Sequence, residues 1–354
     1  MIHENSIYIK NIYYMLAYAF RVLNEEEYKK VETEEFENIA ELLSEILSIG
    51  IASQIKQGLV KDYLEVSETT SSIRGKINIT ESINEQSFIK KQLNCTYDEF
   101  SLNCYLNQII KSTLNLLIKS DLTRERKKKL KRLLMYFAGV DLIDVKSINW
   151  KIRFDRNNQT YKMLVNICYL VINGLLQSEK SGYVKLMDFS DNQLMSSLYE
   201  KFLLNYFKKE HQDIKTHAPQ IDWQVDEGWD VLLPKMKTDV TLEYENRILI
   251  IDAKFYKDNL AENYGRNMHR TGNLYQIFTY VKNKQAELQG NDVEVSGMLL
   301  YSRTKATIQP DSEYVMSGSR ISVKALDLNQ EFNVIKDQLD EIAFNLKKDG
   351  SQYV

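Results

Sequence analysis

Proline is scarce in this chain, with three in 354 residues, and no proline-rich or serine-rich stretch marks a linker between domains. Cysteine is equally scarce. Cys95, Cys104 and Cys168 are scattered without C-x-x-C spacing, which argues against a structural zinc site and fits a reducing compartment. The four histidines, His3, His211, His217 and His269, are too dispersed in sequence to suggest a metal cluster. No G-x-x-x-x-G-K-[ST] occurs. Gly75-Lys76 comes nearest but lacks the upstream glycine and the following hydroxyl, so no P-loop nucleotide site is expected. Positive charge is not in excess either. A net charge of −3 implies that any nucleic-acid contact is local or shared with a partner. The apolar patch at residues 12–20 is too short to span a bilayer. The first residues, MIHENSIYIK, carry an acid where a secretory signal is positive. A cytoplasmic protein with no membrane association is expected.

What is present suffices for a sizeable core, since 44% of residues are hydrophobic. At this length two domains are expected, with a boundary in the polar break at residues 177–182. The division is therefore set at 1–180 and 181–354. Apolar spacing predicts helices over residues 7–23, 36–49, 106–118 and 163–176. Between them, YLEV and IRGKINI read as the two arms of a hairpin, with Gly75 marking a bulge or a close backbone approach. Residues 150–154 suggest a short strand. The segment TRERKKKLKRLLMYF holds the strongest basic run: Arg124, Arg126, Lys127, Lys128, Lys129, Lys131 and Arg132. Such a run can meet phosphates or form the solvated face of a helix buried through Leu130, Leu133 and Leu134. The first domain thus reads as mainly helical with a β-hairpin region.

In the second half, helices are expected over 192–210, 272–287 and 331–347, and strands over 295–301 and 320–328. Around them lies the stretch KTDVTLEYENRILIIDAKFY, which reads as two strands joined at Glu245-Asn246, with Asn246 suited to the positive φ of a tight turn. Counting back from that turn sets Asp239 directly across from Asp252. Opposed Cβ atoms lie about 4.5–5.5 Å apart, so two carboxylates there repel unless a cation bridges them. Lys254, two residues beyond Asp252, projects from the same face. The apolar run 248–251 leads straight into Asp252, and a carboxylate at the end of a buried strand requires a reason. A hard divalent cation held by oxygen ligands, beside an ammonium, is the chemistry of phosphodiester hydrolysis.

The spacing of Asp239, Asp252-Ala253-Lys254 resembles the PD-(D/E)xK nuclease signature, with Thr238 where the signature has proline. Gln276 and Tyr280, four apart in NLYQIFTYV, share a helix face and resemble the third motif of RecB-like nucleases. Glu200 on the preceding helix is either a further carboxylate of the site or an ordinary surface charge. Five segments in order, NIYYMLAYAF, SIRGKINI, LYEKFL, TDVTL…ILIIDAKFY and NLYQIFTYV, together resemble the McrC family, the nuclease subunits of McrBC modification-dependent restriction systems.

That resemblance implies an α/β (α+β) architecture: a C-terminal PD-(D/E)xK core with a central mixed sheet flanked by helices, behind an N-terminal partner-interaction domain. It implies Asp239, Asp252 and Lys254 as catalytic residues, with Gln276 and Tyr280 in support. It implies Mg²⁺ bound by Asp239, Asp252 and the Ala253 carbonyl, with Glu200 as a further ligand. It implies double-stranded DNA carrying modified cytosine, 5-methylcytosine in particular, as substrate. The expected partner is an McrB-like AAA+ GTPase hexamer that holds the GTP, which this chain does not bind. The aromatic first helix and the N-terminal hairpin are candidates for that partner surface. A RecB-like repair nuclease working without the motor, and a non-catalytic activator of a partner NTPase, remain open beside it.

Overall fold

The computed structural model describes residues 3–4, 7–20, 31, 34, 36–154, 161–179, 193–228, 232–256, 258–263 and 266–348. The chain divides into two compact units, Met1–Ile39 with Asp188–Val354, and Ala40–Met187. The expected boundary at 180/181 lies outside the described residues. The first 39 residues group with the second half of the chain, unlike the expected grouping of 1–180.

The first helix, α1 (Ile9–Ala19), follows a two-residue strand, Ile7–Tyr8, where continuous helix was expected. Residues 21–23 of the expected helix lie outside the described residues. Of its aromatic residues Tyr13 is buried, and Tyr14 and Tyr18 are half-buried against other rings. Tyr13, Met15 and Leu16 are buried, Tyr14 stacks on Phe332 with ring centroids 4.1 Å apart, and Asn11 Nδ2 donates to the carbonyls of Leu328 and Gln330, both at 2.8 Å.

The unit Ala40–Met187 combines helices with a small sheet. Its elements are α2 (Ile39–Gln57), β1 (Asp62–Thr70), β2 (Lys76–Ile77), α3 (Ile79–Asn84), β3 (Leu93–Ser101), α4 (Tyr105–Lys119), α5 (Arg124–Leu134) and α6 (Tyr161–Glu179). Leu42, Leu43, Ile46 and Leu47 of α2 are fully buried. The Tyr161 hydroxyl accepts the Val60 N–H at 2.9 Å and donates to Asn107 Oδ1 at 3.1 Å, tying α6 to α4. The expected hairpin is corrected here. β1 and β2 do not pair with each other; both pair antiparallel with β3, in the order β1-β3-β2. Alternation identifies strands but does not name their partners. Gly75 does mark a close approach: at φ 58°, a Cβ there would lie 2.3 Å from the Thr96 carbonyl oxygen of β3. Residues 150–154 form no strand. Trp150 instead packs its ring on Tyr169 of α6, centroids 4.8 Å apart.

The other unit holds α7 (Gln193–Glu210), β4 (Lys215–His217), β5 (Val240–Tyr244), β6 (Arg247–Lys254), α8 (Thr271–Glu287), β7 (Glu294–Ser302), β8 (Ser312–Met316), β9 (Ser319–Leu326) and α9 (Phe332–Lys347). The six strands form one mixed sheet ordered β8-β9-β7-β6-β5-β4. β6, β7 and β9 run parallel, and β4, β5 and β8 are antiparallel to their neighbours. This is the expected α/β core. Parallel neighbours need a crossover, and α8 supplies the one between β6 and β7. Alternate residues Ile248 and Ile250 of β6 join Ile277, Tyr280 and Val281 of α8 in a single apolar cluster. Leu249, Ile251 and Ala253 alternate to the opposite face and are also buried. Gly297 on β7 lets α8 sit close, because a Cβ there would come within 2.8 Å of both Ile277 Cγ1 and Val281 Cγ2. Among the described residues, no helix is long and apolar enough to cross a membrane.

Candidate active site

The site lies where the apolar cluster runs out at the end of β6. Along that strand Ile248, Ile250, Asp252 and Lys254 alternate onto one face, the face that α8 covers. The hairpin register is the one counted from the turn, Tyr244 opposite Arg247 and Val240 opposite Ile251. The positive φ of the turn falls on Glu245, at 50°, and not on Asn246. β5 begins at Val240, so Asp239 lies just before the ladder and is not paired opposite Asp252 as the count from the turn expected. From there Asp239 Oδ2 accepts the Ala253 N–H at 2.8 Å. Leaving the ladder frees this carboxylate to fold onto the neighbouring backbone.

Thr238 explains why proline is dispensable before Asp239. Its N–H and its hydroxyl both donate to the Pro219 carbonyl at 3.1 Å, and a proline could supply neither donor. The residue is buried and fixes the approach to Asp239 from behind.

Asp252 is 1% exposed. Lys254 Nζ lies 2.6 Å from its Oδ2, a contact that is close as an ion pair but poorly aimed as a hydrogen bond. The ammonium also donates to Gln276 Oε1 at 3.0 Å. Gln276 Nε2 donates to the Tyr280 hydroxyl at 2.9 Å, and that hydroxyl donates to the Lys237 carbonyl at 3.2 Å. A continuous chain therefore runs from Asp252 through Lys254, Gln276 and Tyr280 to the backbone before Thr238. Asp239, Asp252, Ala253, Lys254, Gln276 and Tyr280, separate in sequence, are brought together.

Burial sets the electrostatics. It pushes Asp252 up to about 6 against the pull of Lys254, and Asp239 adds to the rise. Asp239 is raised by burial too, with the Ala253 N–H, Lys254 and Lys237 opposing. Burial works against the Lys254 charge, but Asp252 first, then Tyr256 and Asp239, outweigh it and hold the ammonium above its ordinary value. Glu200 of α7 is half-buried. Burial first, then Asp239, push it up to about 7, Lys254 opposes and Asp252 adds. Glu200 thus senses the site's charges, whereas no group of three metal-ligating side chains closes among the described residues.

Sequence reasoning missed a second tier. Asn273 Nδ2 donates to the Tyr301 hydroxyl at 2.8 Å, and the Tyr256 hydroxyl donates to Asn273 Oδ1 at 3.4 Å. Tyr301 pairs with Lys254 across the parallel ladder, so this tier buttresses the lysine. The helical period was available as a signal, since Asn273 precedes Gln276 by three and shares its face.

Two carboxylates with unequal surroundings beside an ordered ammonium can bind a hard cation and stabilise charge on a phosphoryl group. The chain is similar to known proteins over most of its length. A family model described as McrBC 5-methylcytosine restriction system component matches residues 3–302. The type IV methyl-directed restriction enzyme EcoKMcrBC of Escherichia coli (strain K12) is 28% identical over 340 residues, covering 94% of this chain and 96% of that protein. A solved half-complex from a tetradecameric assembly of Thermococcus gammatolerans McrB AAA+ hexamers with bound McrC is similar in fold. It has a TM-score of 0.51 at 15% identity, over 95% of this chain and 75% of that one.

Proposed function

Because this chain belongs to the McrBC family of 5-methylcytosine restriction system components, we propose that it is the endonuclease subunit of such a system. It hydrolyses phosphodiester bonds of double-stranded DNA carrying modified cytosine, when driven by a separate AAA+ GTPase hexamer. The observation that carries this reading is the buried Asp252–Lys254 pair, 2.6 Å apart, with Asp239 folded onto the intervening Ala253 N–H.

The donor set suits Mg²⁺, which binds through one or two carboxylates and keeps several waters. Asp239 and Asp252 would hold it with the Ala253 carbonyl, and Glu200 would be the further ligand. When bound, the cation supplies Lewis acidity and a more acidic water. The protein's own part is positioning. Lys254, held by Gln276, presents a fixed ammonium to the water or the phosphoryl oxygens. Tyr280 fixes the Gln276 amide in turn.

The unit Ala40–Met187 has a feature suited to a partner. Ile73, Ile79, Ile83, Phe88 and Ile89 are exposed large apolar side chains within a span of seventeen residues, a concentration characteristic of interaction surfaces. This span supports assembly with the GTPase better than α1, whose aromatics are taken up by the core. No nucleotide is expected on this chain.

Plasmid cleavage with each component omitted in turn tests the reading. Cutting is expected only with this chain, its GTPase partner, GTP, Mg²⁺ and methylated DNA together. Robust cutting of unmethylated DNA by this chain alone would defeat the motor-dependent reading and favour a repair nuclease. Full activity of an Asp252→Asn complex would remove the site assignment.

A further inference from the structure

The fold divides the basic segment of α5 into two sets. Arg126 and Lys129 turn toward α2, where both meet Glu45, at 2.6 and 2.5 Å. Glu41 lies 3.9 Å from Arg126 Nε and accepts the Thr123 N–H at 3.0 Å. Leu130 and Leu133 lie buried beside Arg126, so this side of the helix is apolar and charge-compensated. Arg124, Lys127, Lys128, Lys131 and Arg132 occupy the other side. Their offsets of three, four, seven and eight from Arg124 set them along one helical face. Among the described residues, none of the five is paired with an acidic side chain. Glu125 is the one acid on the helix. In a chain whose net charge is −3, this density of cations is local.

We propose that this face of α5 binds the phosphodiester backbone of duplex DNA, as a contact surface separate from the carboxylate site. The inference rests on the reading of this chain as a DNA-acting protein. The stripe from Arg124 to Arg132 is about 12 Å long, and over that length the two strands of a duplex carry about seven phosphate charges. Three of the five cations are lysines, which are depleted at the cores of protein–protein interfaces and well suited to phosphate contacts. Tyr136, exposed just beyond the helix, adds a hydroxyl of the kind that donates to phosphate. Backbone contacts carry no sequence information, so this surface holds modified and unmodified DNA alike.

The test uses the full chain and a fluorescent unmodified duplex, with no divalent cation, so that no cleavage occurs. Changing Arg124, Lys127, Lys128, Lys131 and Arg132 together to Gln keeps good helix formers on the surface, and thermal melts verify the fold. The milder pair Lys128→Gln and Lys131→Gln provides a second variant. The expected result is a salt-dependence slope smaller by about 3–4 and affinity at least about tenfold lower at roughly 100 mM salt, with a proportionate effect for the pair. An unchanged slope in both variants overturns the proposal. So does wild-type DNA binding combined with lost co-purification of the GTPase partner, which would make the face a protein contact. Asp252→Asn separates the two readings. It is expected to bind with the wild-type slope in this assay and to fail to cut methylated DNA in the separate assay with the GTPase partner, GTP and Mg²⁺; if it cuts normally there, the nuclease site falls and the α5 surface stands.

Discussion

Lys254 donates its ammonium to Gln276 Oε1 at 3.0 Å, so a strand supplies the cation and the following helix holds it in place. Without the amide, Lys254 keeps its ion pair with Asp252 but loses its second anchor. Gln276→Ala is therefore expected to slow cleavage by roughly 100-fold with little change in melting temperature. Tyr280→Phe removes only the support of that amide and should act in the same direction, less strongly. Single-turnover cleavage by the assembled complex measures both. Effects that multiply independently in the double variant would show that the two do not work as one chain.

The two carboxylates should make stability depend on pH and on metal. Asp252 is raised from 3.8 to about 6, so its contribution to stability is full below the ordinary value and is lost as pH rises through 6. Glu200, raised to about 7, acts with the same sign in a slightly higher window. In metal-free melts, Asp252→Asn should therefore gain on the wild type between about pH 4 and 7. Mg²⁺ should raise the wild-type melting temperature more at pH 8 than at pH 5, because the ligands must be deprotonated. Lys254→Ala should lose cleavage and keep that Mg²⁺ shift, since an ammonium is no ligand. A parallel pH course for wild type and Asp252→Asn would refute the assignment of the burden to this residue.

Gly297 sets the distance between α8 and the sheet, and so the reach of Gln276. Gly297→Val adds a branched side chain where a single Cβ already comes within 2.8 Å of Ile277 and Val281. Overpacking of this kind costs about 1–3 kcal/mol. Cleavage should fall beyond what the lost stability explains, as α8 moves off Lys254. Activity at a temperature well below the melting point separates the two effects, and a destabilised variant with full activity would contradict this account.

The first helix belongs to the core of the unit that carries the carboxylate site. Asn11→Ala leaves the carbonyls of Leu328 and Gln330 without their donor, at a cost of about 1–3 kcal/mol. An N-terminal truncation through residue 177 strips this helix away and should yield an unstable product. Excision of residues 40–187, with a flexible linker in their place, should retain more structure. Circular-dichroism melts compare the two, and equal stability would mean that α1 is dispensable.

Much of the site was legible because a strand's period is two and a tight turn fixes register. Those rules alone fixed the register up to Val240 opposite Ile251, and so brought Asp239 to the end of β6; they also placed Lys254 on the face of Asp252 and put Gln276 above Tyr280. They also gave the helices, since 3.6-residue spacing is strong over long segments. Partner choice was out of their reach. Nothing local in 63–79 reveals that a later strand, β3, enters between its two arms, because strand pairing is a long-range contact. The same holds for Tyr14, whose place against Phe332 depends on a helix three hundred residues away. The sequence by itself determined which chemical groups are present and which face of each element carries them. Only the tertiary structure decided which of them meet: burial raises Asp252 and Glu200, Thr238 finds the Pro219 carbonyl, and Glu45 takes up Arg126 and Lys129 while leaving the other α5 cations without acidic partners among the described residues. Charge, burial and hydrogen bonding between distant residues depend on distance in space, and sequence spacing gives that distance only within a single helix or hairpin.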